Sequence, residues 1–381
     1  MNGTQARGFF PLTRRHIFLN HAGISPLSDR VRAALNGLAE ELTLRPPAYD
    51  TAEQAAEHLR RGLARLLNVP SETLAITRGT AHGLSLLAQG LAWQPGDNVV
   101  GADGEHPANV YPWMALAGRG VEYRRAPLEA GKLTPDTVFS LVDDRTRVVA
   151  LSHVQFGNGC RLDLDTIGRE CDRRGVLFAV DASQSAGALR LDLSRLPVDF
   201  LAATACKWLM GPVGIGFCYG RPELLKRLSP PVIGMGTAST PAVGSEWIFH
   251  IRDDARRFEE SSISPLDTVA FGVAVDLLLE VGARTIEEQV LTLSRQLGEG
   301  LAARGYEVVE PWPRRIAQSS GIVSFRRPSS PAHQVLRDLQ AAGIVGRLQS
   351  DYVRLSPHFY NTKEDLEHVL DVLQPLGAAL P

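Results

Sequence analysis

At 381 residues, with 44% hydrophobic and 22% charged side chains, the chain is long enough for a large core and a second, smaller domain, and shows no sign of disorder. Forty Lys plus Arg against forty-two Asp plus Glu leave a net charge of −2, which gives no global field to hold nucleic acid or an anionic membrane; small-molecule partners are expected. The four cysteines, at 160, 171, 206 and 218, are too few for a disulfide framework and lack C-x-x-C spacing, so they read as reduced thiols with no metal site.

Residues 1–14 form an N-terminal arm with polar and basic residues around Phe9 and Phe10 and no apolar run of signal-peptide length. No later segment approaches the length needed to span a bilayer, and a cytoplasmic location is expected by default. Apolar strand-like runs then alternate with helical patterns. Strands are predicted at 74–77, 98–101, 121–125, 148–152, 176–180, 200–204 and 214–219, with helices at 81–89, 109–118, 164–174 and 222–228. Short continuous apolar strands between helices require a mostly parallel or mixed sheet buried on both faces, so residues 15–255 are read as one large α/β domain. Ser229-Pro230-Pro231, followed by Gly234 and Gly236, marks an exposed loop within it. Long helices at 266–280 and 286–304, strands at 321–325, 344–348 and 352–355, and helices at 333–342 and 363–373 predict a smaller α+β domain over 256–381.

The candidate chemistry follows strand ends. In Ile76-Thr77-Arg78-Gly79-Thr80-Ala81-His82-Gly83 a strand turns into a helix, and the backbone N–H groups of such a helix start suit a phosphate. His82, one turn into an apolar helix, is expected to be structural. In Gly104-Glu105-His106-Pro107-Ala108-Asn109, His106 could stack on a planar cofactor and relay protons, although a loop histidine is more often idle. Asp181 directly follows a buried strand, where open α/β sheets bind ligands. By itself it would serve equally as a helix cap; beside a pyridine nitrogen it would keep that nitrogen protonated and make the ring an electron sink. Lys207 lies in the apolar stretch Thr204-Ala205-Cys206-Lys207-Trp208-Leu209-Met210, where an ammonium is costly unless it is paired or neutralised as an imine. A stem that merely snorkels to water is its plain alternative.

In their order along the chain, Thr77-Arg78-Gly79-Thr80, Glu105-His106-Pro107-Ala108-Asn109, Asp181-Ala182-Ser183-Gln184 and Thr204-Ala205-Cys206-Lys207 resemble the class V aminotransferase superfamily of fold-type I pyridoxal 5′-phosphate (PLP) enzymes, which includes cysteine desulfurases and isopenicillin N epimerase. The resemblance runs from Phe18-Leu19-Asn20-His21-Ala22-Gly23 to Arg354-Leu355-Ser356-Pro357-His358-Phe359-Tyr360-Asn361. It implies that Lys207 forms a Schiff base with PLP, Asp181 pairs with the pyridine nitrogen, Gln184 contacts the ring hydroxyl and His106 stacks on the ring. It assigns Gly79, Thr80, Ala81 and Thr204 to the phosphate, Arg354 to the substrate carboxylate, and Asn20, Ala22 and Gly23 to the substrate entrance. It also implies a homodimer in which the 234–240 loop reaches a neighbour's phosphate.

The sequence departs from desulfurases at three places. Cys206 replaces the histidine that commonly precedes the lysine, Gln155 and Phe156 follow Ser152-His153-Val154 and make the substrate pocket more apolar, and no cysteine lies between Ile344 and Arg354. Persulfide-forming desulfuration is therefore not expected. An amino acid would pass through an external aldimine and a quinonoid after loss of its Cα proton to Lys207. Of the branches beyond, β-elimination from an S-substituted cysteine is preferred; amino transfer to a keto acid and epimerisation stay open. A catalytically silent binding protein of the same fold is the non-enzyme alternative. A nucleotide-binding protein is set aside, since neither G-x-G-x-x-G nor G-x-x-x-x-G-K-[ST] follows a strand.

Overall fold

The computed structural model describes all residues except 47–49, 130, 240–247, 310–314, 329 and 375–381. In chain order its first strands are β1 (Ile17–Phe18), β2 (Leu74–Thr77), β3 (Asn98–Ala102), β4 (Glu122–Ala126), β5 (Thr146–Ser152), β6 (Leu177–Asp181), β7 (Phe200–Thr204) and β8 (Gly216–Gly220). All but β1 join one seven-stranded sheet in the order β2-β8-β7-β6-β5-β3-β4. Strand β8 is antiparallel to both its neighbours, and the other pairs are parallel. The runs are continuously apolar because both faces are covered: Val149, Leu151, Val180 and Leu201 enter one core, and Val148, Ala150, Ala179 and Ala202 the other.

The predicted helix at 109–118 is broken into a 3-10 turn (Pro107–Asn109), one α turn (Tyr111–Met114) and a second 3-10 turn (Ala115–Arg119). Pro107 and Pro112 lack an N–H and are tolerated only where a turn begins. Two helices not foreseen, Asp29–Leu44 and Thr51–Leu67, precede the sheet; Ser28 Oγ caps the first by accepting from the Val31 N–H at 3.3 Å.

The later strands are β9 (Glu307–Val308), β10 (Val323–Arg326), β11 (Ile344–Val345), β12 (Arg347–Gln349) and β13 (Tyr352–Leu355). An antiparallel sheet of order β12-β13-β10-β9 shares a core with the Ala283–Ala303, Ala332–Ala341 and Lys363–Val372 helices. The predicted strand at 344–348 is two strands with different partners. Strand β11 pairs with β1 and β12 with β13, and Gly346 sits between them where a Cβ would come 2.5 Å from the Leu355 side chain. Packing crosses the proposed limit at 255/256. Strand β1 pairs with β11, Leu19 lies in the smaller domain's core, and the Pro265–Val281 helix packs on the two N-terminal helices. Among the described residues, no helix is long and apolar enough to cross a membrane.

Strand β2 is an edge of the large sheet, and its outward backbone groups are met by a buried ion pair. The Ile76 N–H donates to Glu259 Oε1 at 2.7 Å, and Arg60 Nε donates to the Leu74 carbonyl at 3.3 Å. Arg60 also donates to both Glu259 oxygens at 2.8 Å. Burial pushes the Glu259 pKa up, while Arg60 opposes the rise. Arg60→Ala leaves the carboxylate buried and uncompensated, so the substitution is expected to destabilise the protein by about 3–5 kcal/mol, read as a lower urea midpoint; an unchanged midpoint would refute this role.

Candidate active site

The site forms where β2, β3, β5, β6 and β7 end on the same side of the sheet, the position at which parallel α/β sheets present loops to ligands. Asp181 ends β6 with Ser152 of β5 and Ala202 of β7 as its cross-strand neighbours. It is buried, and its Oδ1 accepts the Ser183 N–H at 2.8 Å, which fixes its orientation. Lys207 follows β7. Burial pushes its pKa down, Asp181 and then Cys206 pull it up, and Arg354 and Arg347 lower it again. An amine in such surroundings is neutral at a lower pH than an exposed lysine.

His106 belongs to the same cluster. Its Nδ1 accepts the Ala108 N–H at 3.2 Å, and its ring stands edge-on to Phe156 with centroids 5.2 Å apart. Burial and the Lys207 charge lower its pKa, and Asp181 raises it. The loop that carries it is held by Glu105, a buried carboxylate to which sequence reading gave no role. Glu105 accepts from the Ser152 N–H at 2.8 Å and from Ser152 Oγ, Gln155 Nε2 and Asn109 Nδ2, at 2.5, 2.9 and 3.0 Å. Burial raises its pKa, the two bonds from Ser152 and the one from Asn109 oppose the rise, and the charge of Asp181 adds to it. The available signal was Asn109, four residues on in the same motif. Gln155 is therefore turned toward Glu105, and of the two residues expected to shape the pocket only Phe156 reaches His106.

At the end of β2, Gly79 takes φ +136° and opens the Thr80–Gly90 helix. Only glycine adopts this backbone freely. Gly216 lets β8 pass close beside it, since a Cβ there would lie 2.8 Å from Gly79 Cα and 2.3 Å from the Ala203 carbonyl oxygen. Thr80 Oγ1 lies 2.5 Å from Ser183 Oγ, which ties this helix start to the Asp181 turn. Thr204 Oγ1 is 3.5 Å from Cys206 Sγ, and Ala81 is exposed. Free first-turn N–H groups beside two hydroxyl residues form a donor set that fits a phosphate. His82 accepts the Arg78 N–H on Nδ1 at 3.2 Å, a bond within the turn.

Gln184 is tied at both ends: Nε2 donates to the Ala22 carbonyl at 3.1 Å, and Oε1 accepts from Trp208 Nε1 at 2.9 Å. One amide proton is left for a further acceptor. Ala22 N–H donates to Ser356 Oγ at 3.0 Å, Gly23 is packed against the Asn20 amide, and Asn20 Oδ1 is buried without a partner. Arg354, on β13, is also buried. Its guanidinium donates to the Phe156 carbonyl at 2.7 Å, its Nε has no partner, and burial and the charge of Arg347 bring its pKa to about 10. Arg347 is its cross-strand neighbour on β12. Among the described residues no ion pair is formed by Arg354, whose buried charge is met only by the Phe156 carbonyl.

The loop at 234–240 was expected to reach a neighbour's phosphate; its last residue, Thr240, lies outside the described residues. A concavity of about 1230 Å³ lies elsewhere and is lined by Asn68, His153, Arg161, Arg190 and Glu287. Glu287 pairs with both Arg161 and Arg190, at 3.4 and 2.9 Å, and none of the predicted site residues faces this space.

The lowered pKa of Lys207 has a direct consequence. In the apoprotein, reductive methylation near pH 7.5 should modify Lys207 faster than exposed lysines of similar access, and Asp181→Asn, which removes the charge that holds the proton on, should extend that reactivity to lower pH. Peptide mass spectrometry across a pH series checks this; a pH profile at Lys207 that is the same in both proteins would contradict it.

The profile of the family described as Aminotransferase class-V matches residues 47–369. A probable cysteine desulfurase of Methanothermobacter thermautotrophicus is 28% identical, over 99% of this chain and 98% of its own length. Among solved structures, the cystine C-S lyase C-DES in complex with cysteine persulfide superimposes with a TM-score of 0.88 at 28% identity, covering 96% of this chain and 98% of C-DES. A lysine-to-alanine variant of C-DES with glycine covalently linked to its PLP cofactor gives a TM-score of 0.89 at 27% identity with the same coverage. The mixed, mostly parallel sheet between helices is the fold-type I architecture of these neighbours. With the family profile spanning most of its length, the chain belongs to the class-V aminotransferase family of PLP-dependent enzymes.

Proposed function

We propose that this protein is a PLP-dependent C–S lyase that removes the sulfur substituent from an S-substituted cysteine. The observation that carries the reading is the convergence of a desolvated amine, Lys207, with Asp181 and His106 at the carboxyl ends of parallel strands, and with a buried guanidinium on β13, Arg354, whose Nε has no partner. PLP, when bound, supplies the electron sink that stabilises negative charge developing at the substrate's Cα. Lys207 would hold it covalently, Asp181 would keep its ring nitrogen protonated, and Gly79, Thr80, Ala81 and Thr204 would take its phosphate. The remaining Gln184 amide proton would serve the ring hydroxyl and His106 the ring face.

Arg354 would grip the α-carboxylate and orient the Cα–H bond toward Lys207, whose Nζ, released as a free amine when the substrate's amino group takes its place, would accept that proton as general base. The Cβ–S bond then breaks with its electron pair on sulfur, and the thiolate takes up a proton. Water completes the balance, giving thiol, pyruvate and ammonia. Lyase chemistry is favoured by C-DES being a cystine C-S lyase, and by all four cysteines being buried and none lying between β11 and β13. Phe156 gives the substituent an apolar neighbour. The segment before and after the undescribed residues 240–247 exposes Val232, Ile233, Met235, Ile248 and Phe249, which suits burial by a second copy of the chain in a cytoplasmic homodimer.

Purified enzyme given S-alkyl cysteines should release thiol and pyruvate in equal amounts; amino-group transfer to a keto acid without thiol would defeat the reading. Arg354→Ala should lower kcat/KM about 100-fold, the loss of roughly 3 kcal/mol of charge-assisted hydrogen bonding. Met235→Glu should shift the sedimentation coefficient toward that of a monomer, and an unaltered dimer would place the interface elsewhere.

A further inference from the structure

The turn that carries Lys207 is held from outside by two residues. Ser25 donates twice, from its N–H to the Cys206 carbonyl at 2.8 Å and from its Oγ–H to the Lys207 carbonyl at 2.5 Å. His358 donates from Nε2 to the Trp208 carbonyl at 2.9 Å. Its tautomer is set, because Nδ1 accepts the Phe359 N–H at 2.8 Å and leaves the proton on Nε2. Three consecutive carbonyls, those of residues 206, 207 and 208, are thus each held by a donor distant in sequence.

The turn needs such restraint. Met210 takes φ +53°, a left-handed conformation that a side chain disfavours, and its N–H reaches back to the Lys207 carbonyl at 3.0 Å. Gly187, at φ +93°, packs so closely that a Cβ there would lie 2.4 Å from the Trp208 carbonyl oxygen. The donors also sit on the elements that hold the substrate side. His358 lies four residues beyond Arg354, and between them Ser356 donates from its N–H to the Leu19 carbonyl at 2.7 Å and accepts the Ala22 N–H. One hydrogen-bonded segment, 354–358, therefore connects the guanidinium, the 19–25 stretch that carries Ser25 and the lysine turn.

We propose that Ser25 and His358 are positioning residues that clamp the Lys207 turn and fix its amine relative to the carboxylate grip of Arg354. The proposal rests on reading Lys207 as the PLP-bearing residue. Neither residue is assigned contact with substrate; both act through the backbone of 206–208.

The test uses Ser25→Ala, which keeps the backbone N–H bond, and His358→Leu and His358→Gln, of which only the second keeps an N–H donor. Three quantities are read on the purified proteins: the rate at which apoprotein captures added PLP as a borohydride-reducible linkage, the pH midpoint of the bound cofactor's absorbance change, and kcat against KM for an S-alkyl cysteine. Ser25→Ala and His358→Leu should each slow capture and lower kcat by about 10-fold or more and move the midpoint, with KM within about two-fold, as expected when a reacting amine is misplaced. His358→Gln should recover most of the loss. Wild-type capture and midpoint in Ser25→Ala would overturn the clamp, and so would His358→Gln being as impaired as His358→Leu, since packing alone would then explain the effect. If His358→Leu does not fold, Ser25→Ala decides. A Lys207→Ala protein that still forms the reducible linkage would withdraw the cofactor assignment and the clamp with it; loss of the linkage there, with Ser25→Ala unaffected, overturns the clamp alone.

Discussion

Removing an amine from bulk water makes its protonated form expensive, and around Lys207 that expense is set against the carboxylate of Asp181. The balance requires the two groups to come from adjacent strands with little freedom between them. The sheet supplies this, because β6 and β7 are parallel neighbours in register from Ala179 and Phe200 to Asp181 and Ala202. Both strands are buried on both faces, so a shift of either would drag two cores with it. The chemistry of the site is thus anchored in the best-packed part of the molecule, and the loops beyond the strand ends add the remaining groups.

Those loops are held by polar side chains rather than by apolar packing. Glu105 gathers four donors under the His106 loop, Gln184 bridges Ala22 and Trp208, and Thr80 meets Ser183. A buried network of this kind is rigid only when its members are satisfied. Among the described residues, three atoms at the site lack partners, the donor Arg354 Nε and the acceptors Asn20 Oδ1 and Gln155 Oε1.

Much of this was legible in the sequence. The strand runs at 74–77 and 200–204 match β2 and β7 residue for residue, because a strand covered on both faces is apolar throughout and stands out from its flanks. The placement of Asp181 and Lys207 after such strands followed from the same pattern. What stayed hidden depends on partners distant in the chain. Nothing local to Glu105 announces that Ser152 and Gln155 will meet it, and nothing in Ile344-Val345-Gly346-Arg347-Leu348 tells that its halves pair with β1 and β13. The broken helix after His106 was visible in Pro107 and Pro112 but outweighed by the apolar periodicity around them.

The pairing of Ile17 with Ile344 and Phe18 with Val345 has a further meaning for how the molecule is made. A ribosome delivers β1 long before its partner β11, so the large sheet can assemble while β1 still has nothing to pair with. Closing so long a loop carries an entropic cost that local structure does not repay. The parallel ladder between β1 and β11, and with it the anchoring of the segment that leads to Ser25, therefore waits until residues 344–345 have been made.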